Sequence, residues 1–178
     1  MSYMMTPRVR KFALTAHVVA SVGWLGAVVG FLAHAVAGLT SQDNQTVRAA
    51  YLMMALTGWF VLVPLSLASL LTGLVQSLGT AWGLFRHYWV IVKLSITVFA
   101  TVVLLLYTRT LDNLASGAAN ANFSAADLGG HHHGGAASPV IHASVALLLL
   151  VACVVLSVYK PWGKTQYGVR KKIQEKSL

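Results

Sequence analysis

Acidic residues are almost absent from this sequence: 178 residues include four, Asp43, Asp112, Asp127 and Glu175. No two stand close enough in sequence to suggest a carboxylate pair, no nucleophile lies beside a base, and no glycine-rich phosphate loop is present, so no catalytic constellation can be read. Cysteine is also scarce. Cys153 stands alone within an apolar run, which excludes an intramolecular disulfide and suits a small core residue. Charged residues of both signs make up 10% of the chain, less than half the roughly 25% that a soluble domain uses to cover its surface. A water-soluble globular fold is therefore excluded for most of the chain.

What the sequence has instead is 57% hydrophobic residues, gathered into four runs at about 12–38, 49–79, 87–107 and 140–159. Each run is about 20 residues or longer, enough to cross the hydrocarbon core as a helix. The expectation is an all-α integral membrane protein, a single-domain four-helix up-down bundle. The first run is too long for the apolar part of a secretory signal and reads as a retained span. Net charge is +9, but the basic residues flank the spans rather than form a docking face, which argues against nucleic acid. With both termini cytoplasmic, the inner regions hold ten of them, Arg8, Arg10, Lys11, Arg86, Lys160, Lys164, Arg170, Lys171, Lys172 and Lys176, and the outer loops hold Arg48 and Arg109. Positive charge collects on the cytoplasmic side of short loops, so this orientation is expected. The segment 108–139 reads as a mobile outer loop rich in Ala, Gly, Asn and Ser, with Pro139 opening the last helix, and 160–178 as a basic cytoplasmic tail.

Within the first run, Ala16, Ala20, Gly23, Ala27, Gly30 and His34 share one stripe, with His17, Ser21, Trp24 and Phe31 beside it. Small residues at that spacing admit a neighbouring helix, a second copy of the chain or a flat ligand. Ser69, Thr72, Gly73 and Gln76 in the second run and Lys93, Thr97 and Thr101 in the third make the inner half of the bundle the more polar one. Pro64 is expected to kink the second helix. Most of the Trp and Tyr residues, Tyr107 among them, lie near run ends as interfacial anchors, whereas Trp24 and Trp59 fall deeper, where an indole can pack beside a ligand.

Orientation sorts four histidines by depth: His17 with His87 on the inner side, His34 with His142 on the outer. His17 and His34 stand about 25 Å apart along one helix, too far to share a site. Two histidine pairs at two depths is the pattern a membrane b-type cytochrome uses, because haem iron takes neutral imidazole as an axial ligand. The alternative is that each histidine simply reaches headgroups or water from near a span end. Lys93 sits roughly 10 Å into its helix with no acidic residue in any span, so its charge is met by snorkelling or by a bound anion such as a haem propionate or a lipid phosphate. The triple histidine His131, His132 and His133, between glycines, reads as a weak outer site for copper or zinc.

Leu14-Thr15-Ala16-His17 through Trp24-Leu25-Gly26, together with Gly83-Leu84-Phe85-Arg86-His87-Tyr88-Trp89-Val90-Ile91-Val92-Lys93-Leu94, resembles a family of small bacterial integral membrane proteins of unknown function with four spans. That resemblance implies the bacterial cytoplasmic membrane and no activity. The His, Trp and Gly of the first run are also similar to the copper-resistance D type of membrane protein, associated with copper uptake. Here there are four spans and no methionine-rich span, Met53 and Met54 being the only methionines within the runs. The expected function is haem b binding in electron transfer, haem handling or redox and gas sensing, with His34, His142, His17, His87, Lys93 and Trp24 as cofactor residues. Copper or zinc handling by the same histidines, or a cofactor-free structural subunit, are the alternatives.

Overall fold

The computed structural model describes residues 5–79, 84–120, 135, 137–161 and 163–170. Four long helices carry the chain: α1 (Pro7–Thr40), α2 (Asn44–Gly79), α3 (Tyr88–Ala119) and α4 (Ser138–Tyr159). All four are long and apolar enough to cross a membrane. α1 packs on α2, α2 on α3, α3 on α4, and α4 closes back on α1, while the diagonal pairs make little contact. This is the up-down bundle expected from the runs. Its outside is apolar: Phe12, Phe60, Leu106 and Leu148 are among many large hydrophobic side chains left exposed, the surface a bilayer solvates and water does not.

Local sequence sets the helix limits. Pro7 occupies the first turn of α1, where its missing N–H costs nothing. Asp43 caps α2, its carboxylate accepting from the Gln45 and Thr46 amides at 3.3 and 3.0 Å and from the Thr46 hydroxyl at 2.7 Å. The Thr46 hydroxyl, then the two amides, hold that carboxyl below its usual range. Mid-way along α2 the helix widens into a π-turn at Gly58–Leu62, the Val63 amide reaching back to the Gly58 carbonyl. Pro64, next along and expected to kink the helix, cannot donate to the ladder, and the irregularity that the helix shows beside it is this π-turn. A Cβ on Gly58 would stand 2.8 Å from Leu111 Cδ1, so glycine lets α2 and α3 approach there.

Two expectations change. α3 does not end at Tyr107 but runs to Ala119, so the first part of the segment read as a loop is helix. Leu111, beside Gly58 of α2, and Ala118 are buried, and Trp59 Nε1 donates to Asp112 at 2.8 Å while Arg48 donates to the Ala119 carbonyl at 3.1 Å. An apolar strip of period 3.6 was hidden there by Arg109, Asp112 and Asn113 on the outer face. The face that α1 turns inward also differs from the small-residue stripe. Trp24, Val28, Phe31 and Ala35 are buried; of the stripe, Ala20 is buried and a Cβ at Gly23 would touch Leu65 at 3.5 Å, while one at Gly30 would meet nothing within 4 Å. Trp24, Val28 and Phe31 fill the space between helices at mid-length, and the small residues Ala13, Ala20, Ala35 and Gly38 are buried as well.

At the end of the bundle where α1 begins and α4 ends, the inner end in the orientation expected from the charges, residues 163–170 dock on the turn that leads into α3. The Thr165 amide donates to the Arg86 carbonyl at 3.0 Å and its hydroxyl to the Phe85 carbonyl at 2.5 Å. The tail expected at 160–178 is thus anchored over this stretch; residues 171–178 lie outside the described residues.

Candidate functional site

An inner cavity of about 110 Å3 opens between α1, α2 and α3, and its lining includes His17, Ser69, Gly73, Gln76, Trp89, Lys93 and Thr97. The His17 Nδ1 lies 3.1 Å from the Ser69 carbonyl and 3.1 Å from the Thr72 hydroxyl. The Thr72 hydroxyl spends its own proton on the Ala68 carbonyl at 2.6 Å. Both neighbours of Nδ1 therefore act as acceptors, and Nδ1 carries the proton. The lone pair of the neutral ring is then on Nε2, which has no hydrogen-bond partner among the described residues. An imidazole whose one nitrogen is anchored on a backbone carbonyl presents the other, correctly oriented, to a metal.

Gly73 makes room for this ring: a Cβ there would lie 3.1 Å from His17 Cε1 and 3.5 Å from Nδ1. Ser21 and Ser69 complete the hydroxyl layer, joined at 2.8 Å. Across the cavity Lys93 donates from Nζ to the Ser157 hydroxyl at 2.7 Å, and that hydroxyl donates to the Cys153 carbonyl at 2.8 Å. No carboxylate lies within any of the four apolar runs, and among the described residues the ammonium is met by one neutral oxygen. Ser157 is the residue that sequence reasoning missed; its place one turn beyond buried Cys153, on the same face of α4, was the available signal.

A second, larger cavity of about 250 Å3 lies toward the outer side between α1, α3 and α4. Its lining is apolar apart from Trp24, Tyr107 and His142, and includes Phe31 and Phe99. Tyr107 stacks on His142 with ring centroids 4.0 Å apart and planes at 18°, and its hydroxyl meets Ser138 Oγ at 3.1 Å. Tyr107, expected as an interfacial anchor, is thus a buried part of this wall.

The histidines read as pairs by depth are distributed differently. Of the outer two, His142 lines the large cavity and His34 does not; His34 Nδ1 donates to the Gly30 carbonyl of its own helix at 2.8 Å. Of the inner two, His17 lines the small cavity and His87 does not. His87 is the extended residue just before α3, bridged to Lys164 and tilted against Trp89 at 6.3 Å. What the fold brings together is His17 with Lys93, and Trp24 with His142. Among the described residues no three of His, Cys, Asp and Glu come together as a metal site. His131, His132 and His133 lie outside the described residues.

Fold and cavities together define a membrane protein with four candidate spans and an ionisable pocket in the half of the bundle where α1 begins. Residues 11–161 match the family described as "Predicted integral membrane protein (DUF2269)", and the chain belongs to that family. No curated protein and no solved structure matches the chain.

Proposed function

We propose that the chain is a haem b-binding membrane protein whose inner cavity engages the haem through His17 and Lys93. The observation that carries the reading is the pairing, in one cavity, of an imidazole and a lysine that have, among the described residues, no partner at Nε2 and no acidic partner respectively. Neutral imidazole is an axial ligand for haem iron, and an ammonium within the bilayer matches a propionate. Bound there, the haem supplies reversible iron redox and gas-ligand chemistry. There His17 would take the iron and Lys93 a propionate, and the flat body of the haem would have to part Leu70, Trp89 and Leu94 along the wall. With one histidine on the cavity, the geometry favours haem handling or gas sensing over electron transfer through a bis-histidine haem. Copper or zinc handling is the weaker reading, since closed centres for those ions use three or four protein ligands. Protein purified from haem-replete membranes tests this: a Soret band supports it, whereas bound copper or zinc without haem, or no bound group, contradicts it.

The same reading places the protein in a bacterial cytoplasmic membrane with both termini inside. Arg8, Arg10, Lys11, Arg86, Lys160, Lys164 and Arg170 lie at one end of the bundle and Arg48 and Arg109 at the other. Reporter fusions after Asn120 and after Arg170 are expected to report opposite sides; the same side for both would contradict the orientation.

A further inference from the structure

The outer cavity is distinct from the pocket assigned to haem. On α3 the inner cavity takes Lys93 and Thr97, and the outer one takes Ala100, Val103 and Leu104, further along the helix. Two of its lining residues, Trp24 and His142, carry a polar atom without a hydrogen-bond partner among the described residues. Trp24 is 2% exposed, and its indole N–H makes no hydrogen bond among the described residues. His142 is exposed, and its Nδ1 is held by the Ser138 carbonyl at 2.9 Å, which places the proton on Nδ1 and leaves Nε2 as an acceptor without a protein partner among the described residues. Every other lining side chain is apolar except Tyr107, whose hydroxyl is taken by Ser138.

One donor and one acceptor in an otherwise apolar chamber match a hydroxyl group, which accepts with its oxygen and donates its proton. They do not match a carboxylate, which brings two acceptors, no donor and a charge. Trp24, Phe31, Phe99, Tyr107 and the His142 imidazole supply flat faces, so the hydroxyl they suit is one carried by an aromatic ring. Phe99, Ile141 and Val145 line the cavity and are also exposed on the bundle's outside, which gives an apolar tail a way into the bilayer. We infer that this cavity binds a lipid-soluble hydroxylated aromatic ring with an apolar tail, a ligand of the quinol class, through Trp24 Nε1–H and His142 Nε2.

The test uses the full chain in phosphatidylcholine nanodiscs and a decyl-substituted benzoquinol kept reduced, with binding measured calorimetrically. The quinol is expected to bind with saturation, and its dimethyl ether, which has lost the donor, to bind at least tenfold more weakly. Trp24→Phe and His142→Leu are each expected to weaken quinol binding at least tenfold. The inference is overturned if the dimethyl ether binds the unaltered protein as tightly as the quinol, if oleate displaces the quinol with equal or higher affinity, or if both variants bind the quinol as before. The ether and oleate arms use the unaltered protein and stand whatever the variants do to folding.

Discussion

Lys93→Met is expected to lower haem retention at least tenfold while leaving the apoprotein as stable as before or more so. Among the described residues the ammonium has one hydrogen-bond partner, the neutral Ser157 hydroxyl, and no carboxylate stands within the four apolar runs. Removing a charge from such surroundings relieves a desolvation cost, and methionine keeps the length and the apolar stem. With haem bound the sign reverses. A propionate stripped of its cation inside the bilayer is left as an unpaired charge, at a cost on the order of a few kcal/mol. Haem content per purified chain and the thermal midpoint of the apoprotein, measured on both proteins, check the two halves of this expectation. Unchanged haem retention would return Lys93 to a role at the interface.

Gly73→Val is expected to weaken haem binding about tenfold or more without changing helix content. A single Cβ at this position already comes within 3.1 Å of His17 Cε1, so the ring must shift by a few tenths of an ångström even for alanine. Valine adds two methyl groups whose χ1 is fixed by the helix, so they cannot rotate out of the way. Overpacking of this kind costs about 1–3 kcal/mol, and here it falls on the ring that Ser69 and Thr72 hold in place. Haem content and circular dichroism of the purified variant check it: equal haem content would mean that the seating of His17 is not needed.

Spans, loop charge and the polar character of the inner half were legible because each is a one-dimensional property, a sum over a window or a count per loop. Depth is equally one-dimensional, and counting residues was enough to put His17 and Lys93 at one level. Azimuth is not. His34 and His142 share a depth, yet α1 turns Trp24, Val28 and Phe31 inward, and that choice depends on which side chains fill the gap between four helices at once. The small residues offered an equally regular stripe, so period alone did not decide between the two faces. His87 was read as the first helical residue, but its backbone is extended at φ −135° and paired with Lys164, a contact from 77 residues away in sequence. The extension of α3 was obscured because hydrophobic runs report lipid contact, while Leu111, beside Gly58 of α2, and Ala118 are buried beyond the run's end.

The proposal that His17 ligates haem is tested most directly by titrating hemin into the purified apoprotein and into His17→Ala. The unaltered chain is expected to saturate with a shifted, intensified Soret band. His17→Ala, whose helix keeps its length and loses only the imidazole, is expected to give the spectrum of hemin dispersed in detergent. A saturable band of the same position and intensity in both proteins, or none in the unaltered chain, would contradict it.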